Sequence, residues 1–296
     1  MKSNSIVTLD VGGTKVNFGR FRQGQIEQNC VKLFDAHADA SSILAFLVEG
    51  IREQLQDDTV AIAIGVPTIV DLHTGHVCDA VNIPVWRDYP LKAELEQIFN
   101  IDVYLNNDVN CFVAGEYAYG GAANLGQHVA GICLGTGFGT GLMLNNTLYT
   151  GQDCCAGELG GIPYLNGTLD DYCSGSFFKK HHGVDGGQLA ELARQGDEKA
   201  LAIFNDFAQH LAKAISYLMF VINPKVIVIG GSVAKSFDVF IAPLEKALDN
   251  FPYKKVRNGL TIMQGQLDNA ALLGAAYLYV ESAKQSNVID LEQAAS

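Results

Sequence analysis

Three glycine-rich stretches carry residue types suited to phosphate: Asp10-Val11-Gly12-Gly13-Thr14-Lys15, Leu134-Gly135-Thr136-Gly137-Phe138-Gly139-Thr140-Gly141 and Gly230-Gly231-Ser232. Glycine lets successive backbone N–H groups approach an anion closely enough to cradle it. The same glycines could also do no more than permit tight hairpins, and any one stretch alone leaves both readings open. Three in one chain favour the cradle. A fourth stretch, Asn107-Asp108-Val109-Asn110, places a carboxylate where a helix should begin. There Asp108 could cap the helix or, held within about 3 Å of an alcohol, accept its proton.

Better-known templates fail on these residues. A dinucleotide fingerprint starting at Gly135 needs its third glycine at position 140, which is Thr, and a hairpin rather than a helix should follow. Gly-Lys occurs nowhere, so a Walker A loop is excluded, and no His-Arg-Asp run supports a protein-kinase loop. Gly230-Gly231-Ser232-Val233-Ala234 resembles a loosely written nucleophile elbow, but every histidine lies at or before His210, so none follows the serine. His73, His76, His181 and His182 lack partners at metal-ligand spacing and read as turn or surface residues.

The elements that must position these residues follow from periodicity. Residues 6–9 read as a strand, 10–15 as a turn and 16–21 as a second strand. Residues 41–56 have helical spacing, 60–64 form a buried strand, 91–99 a helix, 103–105 a strand and 108–119 a helix. Then the opening pattern returns: strand 129–134, glycine turn, strand 142–144 and an Asn145-Asn146 turn. That recurrence indicates two related halves. A long amphipathic helix over 199–222, an apolar strand over 226–229, a final helix over 269–283 and a polar tail over 284–296 complete the pass. Strands interleaved with helices indicate an α/β protein, divided near residues 120–127 into domains of 1–121 and 122–296.

At 296 residues with 48% hydrophobic and 18% charged residues, the chain can bury a sizeable core and is not disordered. A formal charge of -12 and a pI near 4.9 oppose binding to nucleic acid or an anionic membrane. No signal peptide or membrane-spanning run is evident, so the cytoplasm is the expected location. The seven cysteines are odd in number and scattered without a CxxC pair, which predicts reduced, mostly buried thiols.

Together, the three glycine motifs, Gly65-Val66-Pro67 with Asp71 and Gly75, Asn82-Ile83-Pro84-Val85-Trp86, Asn107-Asp108-Val109-Asn110 and Ala156-Gly157-Glu158-Leu159-Gly160 resemble the ROK sugar kinases in order and over essentially the whole chain. The resemblance implies a two-domain actin-like ATPase (ribonuclease H-like) fold with mixed five-stranded sheets and a cleft. Its C-terminal helix would pack back on the first domain. ATP would be bound by Asp10, Gly12, Gly13, Thr14 and Lys15, by Gly135, Thr136, Gly137, Gly139 and Thr140, and by Gly230 and Gly231. Asp10 would orient Mg²⁺, while the role of Lys15 stays open. The sugar would meet Asn82, Asn107, Asp108, Glu158 and Asp170, whose amides and carboxylates can donate to and accept from neighbouring hydroxyls. Asp108 would be the general base for phosphorylation of the 6-hydroxyl of a hexose or derivative. A catalytically inert sugar sensor and a β-glucoside or N-acetylhexosamine kinase are the alternatives, and a homodimer is implied. Trp86 could stack on the sugar, though packing is favoured.

The chain departs from the family at one place. Where most members have a zinc-binding His and cysteine loop, it has Gly161 and Ile162-Pro163-Tyr164-Leu165-Asn166-Gly167, so no zinc is expected. Asp170 stands where the family has a sugar-binding Glu. The shorter acid and missing imidazole leave room for a 2-substituted sugar, a glycoside or a furanose.

Overall fold

The apolar run at the start of the chain forms β1 (Ser5–Val11), buried on both faces because it is the middle strand of a five-stranded sheet. β2 (Lys15–Arg22) and β3 (Gln25–Leu33) continue it antiparallel. The edge strand β3 was absent from the sequence pattern because most of its residues are polar and exposed, and its Val31 and Leu33 face solvent. Helix α1 (Ala40–Gln54) starts at the Asp39 carboxylate, which accepts from Ser42 N–H at 2.9 Å. β4 (Thr59–Val66) then pairs parallel with β1. A small sheet of β5 (Ile69–Asp71), β6 (His76–Cys78) and β7 (Asp88–Tyr89) precedes α2 (Leu91–Phe99). β8 (Asp102–Asn107) joins β4 in parallel and leads directly into α3 (Asp108–Ala118).

The same order then recurs. β9 (Val129–Leu134) and β10 (Phe138–Leu144) pair antiparallel, with β11 (Thr147–Leu148) at the edge after a turn in which Asn145 and Asn146 have φ of 52° and 67°. A short hairpin, β12 (Pro163–Tyr164) and β13 (Gly167–Thr168), leads to α4 (Leu169–Cys173), α5 (Gly175–His182) and α6 (Gly186–Arg194). The long α7 (Glu198–Val221) feeds β14 (Val226–Gly230), which is parallel to β9. α8 (Phe237–Leu248) and α9 (Lys254–Gly259) lead to β15 (Thr261–Gln264) at the far edge. The two large sheets thus have orders β3-β2-β1-β4-β8 and β11-β10-β9-β14-β15, the two mixed five-stranded sheets of the expected α/β fold.

The last helix, α10 (Ala270–Ala294), runs well past the expected end at 283. Residues 284–294 contain neither Gly nor Pro and are mostly good helix formers, so a polar composition did not stop the helix. The structure is a computed structural model that describes residues 4–294; the final two residues of the expected tail lie outside them.

The chain divides into two compact units. One comprises the chain up to Gly120, Thr150–Ala156 and the chain from Leu267; the other is Gly121–Tyr149 and Gly157–Gln266. A single cut at 121/122 therefore differs from the observed division, because α10 packs against α3, β1 and β4 and belongs to the first unit. Of the cysteines, Cys111, Cys154 and Cys173 are buried, Cys155 is exposed and the others are half-buried, all as free thiols. Among the described residues, no helix is long and apolar enough to cross a membrane.

Candidate active site

In the first unit, Asp10 pairs in register with Gly65 of β4, and Gly65 with Asn106 of β8, so these residues share one level at the carboxyl ends of three parallel strands. Carboxyl ends of parallel strands are where α/β sheets bind ligands, since the chain turns away there and leaves a crevice. Gly12 N–H donates to the Lys15 carbonyl at 2.9 Å, closing the turn after β1. A Cβ on Gly13 would stand 3.2 Å from the Cβ of Asn82, so the exposed Asn82 reaches the edge of this turn. A Cβ on Gly65 would stand 3.3 Å from the Cα of Asp108. Glycine there lets α3 start directly against β4.

Burial pushes the Asp10 carboxyl up to about 6, with Lys15 nearby pulling it back down. The Cys111 thiol is raised by burial and then by the charges of Asp10 and Asp108, so both carboxylates act on one buried group of α3.

The structure corrects the capping expectation. Asn107, not Asp108, caps α3: its Oδ1 accepts from Val109 N–H at 2.9 Å and from Asn110 N–H at 3.1 Å. Its Nδ2 donates to the Thr68 carbonyl at 3.3 Å, so most of the Asn107 amide is engaged within the protein. Asn110 Nδ2 donates to Asn106 Oδ1 at 3.0 Å, and Asn106 Nδ2 to the Tyr104 hydroxyl at 2.9 Å. Asp108 is therefore the first residue of the helix proper, where the unpaired N–H groups favour a negative charge by about 0.3–1 kcal/mol. One of its oxygens accepts from Val109 N–H at 2.8 Å. Trp86 is fully buried, its ring stacked 6.2 Å from Tyr89, which makes it a packing anchor and rules out a sugar platform.

In the second unit, Gly135–Gly137 turn between β9 and β10, with Gly135 N–H donating to the Gly137 carbonyl at 3.0 Å. The following segment braces this turn from outside. Gly175 N–H donates to the Gly135 carbonyl at 2.8 Å, and the Ser174 and Ser176 hydroxyls each donate to the Thr136 carbonyl at 2.8 Å. Asp170 Oδ1 accepts from Phe138 N–H at 2.5 Å, and a Cβ on Gly137 would meet that oxygen at 2.8 Å. Asp170 is thus tied to the glycine turn, with burial raising its carboxyl and the Phe138 bond lowering it.

Thr140 lies inside β10, 4% exposed, with no partner for its hydroxyl among the described residues, and its carbonyl receives the close approach of Gly157. Gly139 pairs with Cys133 in the ladder. Gly231 has φ 86°, and a Cβ there would stand 2.5 Å from the Leu134 carbonyl oxygen, so glycine is required for the turn after β14. Glu158 begins a short helical turn at the surface, its carboxyl raised by desolvation. Thr14 and Lys15 are exposed.

Beside the turn, a cavity of about 320 Å³ is lined by Gly135, Thr136, Ser176, Lys179, Lys235 and Ser236, among others. Its volume is at the lower end of small-molecule sites. Pattern reading did not pick out Ser176, Lys179, Lys235 or Ser236, because they come from α5 and the turn before α8, each an ordinary surface residue in its own window. The only pointer was Ser174-Gly175-Ser176, small residues next to Asp170. Among the described residues, no group of three or more His, Cys, Asp or Glu side chains could hold a metal ion.

A family model described as the ROK family matches residues 6–282. The chain is 28% identical over 314 residues to the glucokinase of Thermotoga maritima, covering 95% of this chain and 99% of the relative. It is 26% identical over 302 residues to the N-acetyl-D-glucosamine kinase of Vibrio atlanticus, covering 92% and 99%. Its fold superposes with a TM-score of 0.81 on the crystal structure of a ROK family glucokinase from Streptomyces griseus in complex with glucose and AMPPNP, at 26% identity and covering 93% and 99% of the two chains.

Proposed function

The chain belongs to the ROK family, and its relatives include sugar kinases with the actin-like ATPase fold; from that premise we propose that it transfers the γ-phosphoryl group of ATP to the 6-hydroxyl of a hexose or hexose derivative, with Asp108 as general base. The observation that carries this reading is the meeting of Asp10, Gly65 and the start of α3 at one level of a parallel sheet.

Asp108 accepts the hydroxyl proton as the sugar oxygen bonds to the γ-phosphorus, and the bond from that phosphorus to the β–γ bridging oxygen breaks to release ADP. Asn107 holds α3, and hence Asp108, in place. Asn82, Glu158 and Asp170 contribute groups for the sugar hydroxyls. Gly13 and Thr14 in the first turn and Thr136 and Gly137 in the second supply backbone N–H groups to the phosphates, the Gly12 and Gly135 N–H groups being used to close those turns, and the cavity beside Gly135 accepts part of the nucleoside.

Asp10 fits a partner cation, because desolvation has left its carboxyl short of positive charge with Lys15 as the opposing influence. Mg²⁺, when bound with ATP, supplies charge to the phosphate oxygens, and Asp10 would hold it. The folded value of about 6 lies above the ordinary 3.8, so the folded chain binds this proton more tightly than the unfolded one. That stabilisation is full below about 3.8 and lost as pH rises through about 6. Asp10→Asn is therefore expected to raise thermal stability at pH 7.5 by about 1–2 kcal/mol, with less gain at pH 4.5, while turnover falls. Melting curves at both pH values test this, and an equal shift at both would refute it.

Turnover is tested by ADP release from Mg²⁺-ATP across hexoses, amino sugars, ketoses and β-glucosides. A Cβ on Gly161 would meet nothing within 4 Å, and Asp170 is drawn toward Phe138, which leaves room beside the residues proposed for the sugar. At least one N-acylated, glycosidic or furanose substrate is expected to match or exceed glucose in kcat/KM. A clear preference for glucose over all of them would sink the expectation of added room, and ATP binding without turnover on any sugar would favour the sensor reading.

A further inference from the structure

The hairpin of β12 and β13 contains no cysteine or histidine, yet it carries a ring, Tyr164, that leads into a cluster of aromatic and imidazole side chains. The Tyr164 hydroxyl lies 3.0 Å from His210 Nδ1 on α7. Tyr172 of α4 is 7% exposed and sits among three rings, with centroids 4.5 Å from His181, 4.9 Å from His210 and 5.4 Å from Tyr164. Phe177 closes the group at 5.6 Å from both His181 and His210. The Tyr172 hydroxyl donates to Asn166 Oδ1 in the loop of the hairpin. One residue before it, Asp171 completes a capping box with Thr168 and pairs with Lys180.

α4 is five residues long, too short to hold its shape alone, so its position must come from tertiary contacts. Those contacts include the burial of Leu169 and Cys173 in the core and the rings around Tyr172. The residue before Asp171 is Asp170, which accepts from Phe138 N–H, and the residue after Cys173 is Ser174, which bonds both the Asp170 and Thr136 carbonyls at 2.7 and 2.8 Å. The rings and the glycine turn are thus joined through one short helix with hydrogen bonds at its far side.

We propose that Tyr164, Tyr172 and His210 form a positioning cluster that holds α4, and through Asp170 and Ser174 fixes the glycine turn at Gly135–Phe138 in the shape that receives phosphate. Among the described residues, none of the three shares a hydrogen bond or ring contact with the turn. Burial holds the His210 imidazole below its ordinary value, with Asp206 raising it and His181 lowering it further. His210 Nε2 faces Asp206 at 3.7 Å, and with a single ring proton on that side Nδ1 keeps a lone pair for the Tyr164 O–H. The inference rests on the kinase reading only for the role of the turn, not for its rigidity.

Amide hydrogen exchange and steady-state kinetics of the full chain test it. Tyr164→Phe removes one hydroxyl and no ring, and should speed exchange of the peptide spanning 134–140 by about three- to tenfold, as expected for one hydrogen bond. KM for ATP should rise by a similar factor, and KM for the sugar should rise as well, because Asp170 of α4 is also proposed for the sugar. His210→Gln, which keeps an acceptor for Tyr164, should recover part of the effect that His210→Leu loses. In a Ser174→Ala background Tyr164→Phe should add less than it does in the wild type, because one of the two links between α4 and the turn is already gone. A lower melting temperature with unchanged exchange at 134–140 and unchanged KM for ATP would overturn the proposal. A turn that loosens in the variants of a protein that never turns over ATP would uphold the positioning role and count against the kinase reading alone.

Discussion

Asp108→Asn is expected to fold as the wild type does and to lose at least about 10²-fold in kcat, the usual contribution of a general base. The substitution keeps an oxygen to accept from Val109 N–H and leaves the cap to Asn107, so the start of α3 is preserved. Loss of the helix-end charge should lower stability by about 0.3–1 kcal/mol. What is lost is the ability to take a proton from the sugar hydroxyl. ADP release under saturating ATP and sugar measures the effect, with a melting curve as control. Retention of kcat within about threefold would remove Asp108 from the role of base. Asn107→Ala makes an informative companion: it removes the cap, which is typically worth about 1 kcal/mol, and should lower both stability and kcat. The pair separates placing the carboxylate from being it.

Gly274→Ala is expected to be among the most destabilising methyl additions in the chain. A Cβ at Gly274 would fall inside van der Waals contact of the Cys111 carbonyl oxygen, and one at Gly115 inside that of the Ala270 carbonyl. α10 and α3 thus cross backbone to backbone, and neither oxygen can swing aside as a side chain could. Overpacking costs about 1–3 kcal/mol and more when backbone must move, set against a gain of about 1 kcal/mol for replacing a helical glycine. A net loss of about 2–3 kcal/mol should lower the melting temperature by roughly 3–5 °C in a chain of this size. Because α3 begins at Asp108, kcat should fall with it. Gly259→Ala, where an added Cβ meets nothing within 4 Å, is the control and should change the melting temperature little. Equal melting temperatures for both variants would show that the helices can part without cost.

Much of the fold was legible because its signals are local. The strand–turn–strand repeats around Gly12 and Gly135 each occupy one short window, and the buried strands β4 and β14 announce themselves as apolar runs. β3 was not legible, because an edge strand with polar faces has no apolar run to display. The same holds for α4, α5 and α6, whose inward residues are few and whose shape depends on rings brought from α7.

The candidate site divides along the same line. By itself the sequence determined which residue types stand at the ends of the central strands: the carboxylates Asp10 and Asp108, the amides around them and the glycines of three turns. Those are properties of the chain in one window, where hydrogen-bonding capacity and backbone freedom belong to the residue itself. Only the tertiary structure decided how neighbouring polar groups share their work. Asn107 took the cap and left Asp108 at the first position of the helix. Asp170 turned to Phe138, 32 residues away, and Thr140 went inside its strand. α10, expected to pack back on the first domain, meets α3 backbone to backbone at two glycines, a closeness that no side-chain pattern records. Each of those outcomes depends on a partner distant in sequence, and the free energy that selects it comes from packing and desolvation that exist only once both partners are in place.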